Sequence, residues 1–586
     1  MTFDALVLAA AVAELKQALL NARVQRIYQP SATEIVLHLH RYREQHCLLL
    51  SCHPRLARLH LTGASFSNPQ SPPPFCMLLR KYLVGSSLAA ITVPPLERVA
   101  VFQFNPPEGR PGARLIAEVM GRRSNIILVD EGGTILGAIK TVSRESNPHR
   151  AVLPGELYQP PPVPPRLDPL AFTPRQLQEA LAPRLEKGSS PEAALSAAVQ
   201  GLSPLMAREL LHRSGGLLPG RQDLERLAGE IKALFLASRE GRWEPVLVPE
   251  GGLYAAFPLK HLDLKQPAYR EINRLLDDFY RELARRELLA RKQETVNRLV
   301  RQHLSRLETK LARQQEELER AEDADAYKLK GELLLAYPHA VPRGATRVEL
   351  PDPEGSGQKL AIELNPALGA VDNARAYFSR YRKAKKGLEK IRTQMEKTRE
   401  EKKYWEEIRF AAGEGDAASL EEICQELEEA GYLKGKKGEG GSRKKGAPPP
   451  QPLSYRTSLG HTVLVGRNNR QNDYITFKLA SRRDTWLHAK DRPGGHVLLK
   501  DAPYPPPAES LEEAALLAAY HSRGREESAV PVDFTSVRHV RRGPGGKPGF
   551  VLYDHFQTIT VNMKDPRLKK ILARAGQPEA EAPPAD

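Results

Sequence analysis

The sequence predicts a multidomain α+β protein, in which two α+β globular modules are joined by a helical, helix-hairpin-helix-like domain and a long antiparallel coiled coil. Three observations lead there. The 586 residues exceed what one hydrophobic core holds, since single cores stop growing near ~250–300 residues. Period-2 apolar runs, the mark of strands, are confined to the two ends of the chain. Between them the apolar spacing lengthens to three and four residues, the mark of helices that pair.

Residues 1–166 form the first α+β module. VQRIYQP, EIVLHLH, CLLLSC, ARLHLT, LERVAVFQF, ARLIAEVM, NIILVD and TILGAIK read as strands, with helices over 3–22 and 74–84. The opening MTFDALVLAAAVAELKQALLNARV lacks a basic start and carries Glu14 and Lys16 at helical spacing, which predicts an amphipathic helix and no export signal. QPPPVPPR, 159–166, is too Pro-rich for helix or central strand and serves as a stiff linker. Residues 167–265 are helical, with Thr173-Pro174 and Ser190-Pro191 as N-cap and first-turn signals and Ser214-Gly215-Gly216 as a stop. Their tight Gly turns suit a helix-hairpin-helix whose amides approach a phosphate, and they also suit an ordinary helical spacer.

Residues 266–433 make the coiled-coil arm. Val300, Leu304, Leu307, Leu311 and Leu318 define one apolar seam, and Tyr381, Ala384, Leu388, Ile391, Met395 and Trp405 define its returning partner. One helix over 272–323 would be roughly 75 Å long at ~1.5 Å per residue. RVELPDPEGSGQKLAIEL supplies a hairpin at the tip. Residues 434–452, KGKKGEGGSRKKGAPPPQP, bury too little to order themselves and predict a basic flexible linker that frees the C-terminal module. Residues 453–565 return to α+β, with strands TVLVGR, YITFKLA, TWLHAK, HVLLK, FVLYD and TITVN around the helix SLEEAALLAAYHSR. Residues 566–586 read as a disordered tail.

Composition narrows the function. A hydrophobic fraction of 41% with no apolar run of roughly 18–20 residues argues against a membrane span. Cys47, Cys52, Cys76 and Cys424 are too few and scattered for a disulfide framework, which points to a reducing cytoplasm. His46, Cys47, Cys52 and His53 fail as a metal set, because strand alternation sends Cys47 and Cys52 to opposite faces. Lys and Arg number 87 against 71 acidic residues, a net charge of +16 that favours polyanionic partners, although part of it only solubilises exposed helices.

The chemistry-bearing stretch is DTWLHAKDRPGGHVLLK, 484–500. Alternation places Trp486, His488 and Lys490 on one strand face, and Gly494-Gly495 returns His496 beside them. One ring with neighbouring cations can stack an unpaired base, worth ~1–3 kcal/mol, and anchor its phosphate. Arg538, Arg541 and Arg542 add a basic loop. The same residues fit a half-buried Trp with surface His. A metal set of His488, Asp491 and His496 lacks the customary ligand spacing.

VGRNNRQNDYITFKLASRRDTWLHAKDRPGGHVLL, VDFTSVRHVRR and KPGFVLYD closely resemble the C-terminal RNA-binding module of the NFACT family. MTFDALVLAAAVAEL, PPFCMLLRKYLVG, LERVAVFQF and EVMGRRSNIILVD resemble its N-terminal module, GLSPLMAREL its helix-hairpin-helix segment and NARAYFSRYRKAKKG its returning coiled-coil helix. The resemblance implies a cytoplasmic ribosome quality control factor that binds obstructed large (50S) subunits and their rRNA. It further implies that peptidyl-tRNA is present, that alanyl-tRNA is recruited and that template-free alanine tailing follows, with a small S4-domain RNA-binding protein as auxiliary factor. It implies no enzyme chemistry, no cofactor, no metal and no catalytic residue. On residues, it implies tRNA binding at Asp4, Glu97, Arg98, Arg122 and Asn125, and RNA binding at Asn472, Asp473, Trp486, His488, Lys490, His496, Arg538, Arg541 and Arg542.

Three positions depart from the family pattern: Glu97 stands where Asp is usual, Ala5 follows Asp4 where Gly is usual, and Gly495 replaces the Ser of Gly-Ser-His. Read without the resemblance, Glu97 and Arg98 fit a surface ion pair worth roughly 0–1 kcal/mol. Two rival functions remain. A formamidopyrimidine-type DNA glycosylase needs an N-terminal Pro-Glu, whereas this chain begins Met1-Thr2-Phe3-Asp4. An extracellular fibronectin-binding adhesin, a label once given to such proteins, needs export.

Overall fold

The structure is a computed structural model that describes residues 3–147, 150–215, 221–322, 324–351, 359–433, 449–543 and 546–573. It divides into two units, residues 1–285 and 286–586. Among the described residues no helix is long and apolar enough to cross a membrane.

The first unit opens with α1 (Ala5–Leu19), started by Asp4, whose side chain accepts from the Val7 amide. Then come β1 (Arg23–Ser31), β2 (Glu34–Arg41), β3 (Glu44–Ser51), β4 (Arg58–Leu61), α2 (Pro74–Leu83), β5 (Ser87–Thr92), β6 (Val99–Asn105), β7 (Ala113–Glu118), β8 (Asn125–Asp130) and β9 (Ile135–Ala138). The nine strands pair antiparallel in the order β4-β3-β2-β1-β5-β6-β7-β8-β9. Its two halves meet where Arg23 of β1 stands opposite Ser87 of β5, flanked by backbone hydrogen bonds such as Val24 N–H to the Ser86 carbonyl at 2.9 Å and Leu88 N–H to the Ala22 carbonyl at 2.9 Å. Alternation works as the sequence predicts: Ile35, Leu37 and Leu39 of β2 point into one core with Leu8, Leu15 and Leu19 of α1.

That core continues into α3 (Pro174–Glu186), α4 (Pro191–Ala198), α5 (Pro204–Arg213) and α6 (Arg221–Arg239). The first three each start with a hydroxyl cap followed by Pro, and Thr173, Ser190 and Ser203 accept amide hydrogens of the first turn. A short hairpin, β10 (Val246–Val248) and β11 (Leu253–Ala255), follows. The first residues of α7 (Ile272–Glu322) bury Ile272, Leu275 and Leu276 in the same core.

The second unit holds the rest of α7, then α8 (Ala324–Ala336), β12 (Arg347–Pro351), β13 (Lys359–Glu363), α9 (Ala370–Glu414) and α10 (Ala417–Glu429). Val300, Leu304 and Leu307 of α7 share a core with Tyr404, Trp405 and Ile408 of α9. Of the returning seam read from the sequence only Trp405 lies in it, and Leu311, Leu318, Tyr381, Ala384, Leu388 and Ile391 are half-buried outside it. The hairpin β12–β13 forms, while its Asp-Pro-Glu-Gly-Ser-Gly turn lies outside the described residues. Helix α8 is unforeseen: its Gly331 and weak apolar period hide it, yet that glycine lets Phe378 of α9 approach, with the ring 3.0 Å from where a Cβ would sit.

Beyond it stand β14 (Leu453–Arg456), β15 (Thr462–Val465), α11 (Asn469–Tyr474), β16 (Thr485–Ala489), β17 (Val497–Lys500), α12 (Ala508–Tyr520), β18 (Ala529–Ser536), β19 (Val540–Arg542), β20 (Val551–Tyr553), β21 (Gln557–Asn562) and α13 (Pro566–Leu572). A six-stranded antiparallel sheet runs β14-β15-β17-β16-β18-β21, and α12 covers one face. Strands β19 and β20 form a separate two-stranded flap.

Three expectations are corrected. YITFKLA is not a strand: Asn468 caps α11, and a wider turn over Ile475–Leu479 continues it. The segment assigned to a tail begins with α13, capped by Asp565, because Leu568 and Ile571 are apolar enough to bury against the core. The C-terminal module is also docked on the arm's base, where acidic ends of α9 and α10 meet it: Arg467 pairs with Asp416 at 2.6 Å, Arg470 with Glu429 at 3.1 Å and Arg525 with Glu414 at 2.5 Å. Of the expected linker, residues 434–448 lie outside the described residues.

Candidate nucleic-acid interface

In the first unit the predicted tRNA-binding residues divide between scaffold and surface. Asp4 is buried, with Oδ1 accepting from the Val7 amide at 3.0 Å and Oδ2 from the Ser203 hydroxyl at 2.7 Å. Burial pushes its carboxyl up, opposed by those hydrogen bonds and by the charge of Arg98. Leu96 turns the chain ahead of Glu97 with φ 58°, and its Cβ lies 2.8 Å from where a Cβ of Gly201 would fall. The helix-hairpin glycine therefore faces the protein's own turn. Glu97 accepts from Gln200 Nε2 at 3.3 Å, which ties the loop to the hairpin.

Arg98 is half-buried between these carboxylates. Burial lowers its pKa, Asp4 and Glu97 raise it, and the nearby Arg166 lowers it. Arg166 is exposed, so two guanidiniums share one electrostatic neighbourhood beside the start of β6. Such a pair suits a phosphate or a guanine edge. Arg122 lies exposed on the turn Gly121–Arg123. Asn125 is spent internally: its Nδ2 donates to the Lys140 carbonyl at 2.8 Å and its Oδ1 accepts from the Ile126 and Lys140 amides. The sequence reading missed Arg166, Gln200 and Ser203; the Arg closing a Pro-rich linker is the one signal that could have exposed the first.

In the second unit β16 sends Leu487 and Ala489 into the core under α12 and Trp486 and His488 to the opposite face. The two rings lie parallel with centroids 5.8 Å apart, and His496 stands edge-on to both at 5.1 and 5.5 Å. Trp486 is fully buried, because Tyr553 of the flap packs on it at 4.8 Å, so it is no open platform for a base. His488 is lowered by burial, and His496 lies well below the usual range through burial and the neighbouring His488. His496 Nδ1 is engaged by the Thr476 hydroxyl at 2.9 Å.

Asn472 is also structural, its Oδ1 accepting from the His496 amide at 2.9 Å. Asp473 binds Arg542 through both oxygens, one at 2.8 Å, and that guanidinium stacks 4.4 Å over Phe477. Arg538 and Arg541 are exposed, with Arg541 Nη2 3.9 Å from Asp554. Lys490 is 3.8 Å from the buried Asp533 and reaches over Phe556. The exposed cations thus lie on the flap and its rim, while the aromatic group forms the floor.

Gly494 and Gly495 do not take positive φ. They permit close approach instead: a Cβ at 495 would lie 2.2 Å from the Gly466 carbonyl oxygen, and one at 494 would lie 2.8 Å from Ser522 Cβ. Among the described residues the one group with metal-like spacing is His539, Asp554 and His555, flanked by Arg538 and Arg541, whose charge opposes a bound dication.

The family model for NFACT N-terminal and middle domains matches residues 4–446, and that for the NFACT protein RNA binding domain matches residues 452–551. A Bacillus subtilis (strain 168) protein named Rqc2 homolog RqcH is 33% identical over 570 residues, 96% of this chain and 98% of that one. A Streptococcus suis (strain 05ZYH33) protein of the same name is 35% identical over 580 residues, 97% of this chain and 100% of that one. Among solved structures, the N-terminal part of the fibronectin/fibrinogen-binding protein from Streptococcus suis is 34% identical, covers 48% of this chain and 100% of that one, and has a TM-score of 0.41.

Proposed function

The chain belongs to the NFACT family and is a ribosome quality control factor carrying an RNA-binding module; on that premise we propose that it binds obstructed large (50S) subunits still holding peptidyl-tRNA and recruits alanyl-tRNA for template-free C-terminal alanine tailing of the stalled chain. The tail marks the product for degradation. The observation that carries this reading is the likeness, 33–35% identical over nearly the whole length, to proteins named for RqcH.

The geometry supports a division of labour. Arg98, held between Asp4 and Glu97 with Arg166 beside it, receives tRNA phosphate or a base edge. Arg122 extends that contact, and Arg538, Arg541 and Arg542 on the flap side grip RNA backbone. In this reading the protein positions substrates, and the ribosomal peptidyl transferase centre makes the peptide bonds. It acts without metal or cofactor of its own, with a small S4-domain protein as an auxiliary partner in the cytoplasm.

Sequencing the RNA that copurifies with the native protein at moderate salt tests the proposal. Transfer RNA, enriched in alanine acceptors, together with large-subunit rRNA is the expected yield. Protein recovered free of both overturns it.

A further inference from the structure

On the sheet face away from α12, a cleft of about 190 Å³ opens between β16, the β19–β20 flap and helix α9. At ~30 Å³ per water this is room for about six, the bulk of one planar heterocycle and well short of the roughly 300–1,000 Å³ of a drug-sized site. Trp486, His488, Phe550 and Tyr553 line it with rings; Lys403 lines it with a cation, Glu406 and Asp491 with carboxylates, and Arg492 is paired with Glu527 at 2.7 Å. Lys403 is exposed and Arg492 half-buried.

Trp486 is fully buried, yet its indole Nε1–H has no acceptor. An unmet buried donor is costly, a deficit that a ring nitrogen or carbonyl entering the cleft would remove. Opposite the aromatic lining stands Glu407 of α9, half-buried and pushed up to about 8 by burial and by Glu426. A neutral carboxyl both donates and accepts, the pattern that an amide edge of a base requires. Tyr553 supplies a stacking face, and the exposed Lys403 supplies a cation for a phosphate.

We propose that this cleft is a nucleotide site that takes one unpaired ribonucleobase against Tyr553 and the Trp486 indole N–H, with the attached phosphate turned outward toward Lys403. It rests on the proposed function in taking RNA as the partner class, and it adds a defined recess where that reading has only charged surface. A free ribonucleotide and a base turned out of a strand share this chemistry.

Two probes are titrated into the full-length chain: an equimolar mix of the four ribonucleoside monophosphates, and a labelled single-stranded hexaribonucleotide of mixed sequence. Val551→Phe fills the cleft; Trp486→Phe keeps a ring and removes the donor. Thermal melts confirm folding, and if Val551→Phe does not fold, Trp486→Phe carries the test. Tenfold or greater loss of hexamer affinity in Val551→Phe and several-fold loss in Trp486→Phe support the site. Parallel loss of monophosphate binding assigns it to free nucleotide as well; hexamer binding alone assigns it to a strand. Failure of both probes to bind the native chain, or folded variants that bind as it does, overturns the inference. Sedimentation with large subunits is scored separately. Native protein that binds hexamer through the cleft but does not sediment overturns the proposed function and leaves this site standing.

Discussion

The Ser203 hydroxyl donates to Asp4 Oδ2 at 2.7 Å while accepting from the Met206 amide at 3.3 Å, so one hydrogen bond joins the N-caps of α5 and α1. A residue at the start of the chain and one 199 positions later thereby fix the helical hairpin against the sheet. Ser203→Ala and Asp4→Ala should each destabilise the protein by about 1–3 kcal/mol, for lost caps and a stranded buried partner. The double variant should lose less than the sum by about 0.5–2 kcal/mol, measured by urea denaturation as a double-mutant cycle.

Arg98→Ala removes a cation held beside two carboxylates and a second arginine. Binding of tRNA should weaken by about tenfold, with the slope of log affinity against log salt falling by about one, while large-subunit association stays mostly intact. Arg166→Ala should add to that loss in a filter-binding assay. Equal loss of tRNA and subunit binding would contradict the assignment of this corner to tRNA.

Glu407 is pushed up to about 8 and Glu426 to about 7, both chiefly by burial where the arm meets the C-terminal module. Lys403 opposes the shift on Glu407, and Asn469, Tyr404 and Arg470 oppose that on Glu426. A carboxyl raised in the folded state holds a proton that the unfolded chain has released, so stability is highest at low pH and falls as pH climbs from about 4.5 toward 8. Glu407→Gln should therefore raise Tm more at pH 8 than at pH 5, by an amount on the order of 1–2 kcal/mol in stability. A scan of Tm against pH checks the sign.

Gly495→Ser restores the residue usual in the family, yet its Cβ would lie 2.2 Å from the Gly466 carbonyl oxygen and 3.3 Å from Val465 Cγ1. Backbone cannot yield as a flexible side-chain end does. The variant should lose about 1–3 kcal/mol of stability by thermal melt, as overpacked sites do.

Strand positions were legible wherever one face is buried, since alternation in EIVLHLH and TWLHAK reports the core directly. The same alternation placed Trp486 and His488 together and could not say that Tyr553 covers the indole, because that cover comes from a flap more than sixty residues away. YITFKLA misled because its own alternation is strand-like, while its helical course is set upstream by the Asn468 cap of α11. Asp4, Asn125 and Asn472 carry function-like side chains whose capacity is taken by amides and hydroxyls, a use that only partners remote in sequence disclose. Arg98 entered through the family resemblance; Arg166 beside it needed the fold.

The docked C-terminal module has a practical corollary. Asn468 and Gln471 donate to Glu422, Asn469 to Glu426, and Lys547 sits 4.3 Å over the Tyr404 ring. These bonds grip across the gap in sequence, so peptide continuity between Leu433 and Pro449 is not what keeps the pieces together. Two separately expressed polypeptides, cut there and mixed, should coelute as a reconstituted whole on size-exclusion chromatography, which makes this position the natural place for a split reporter.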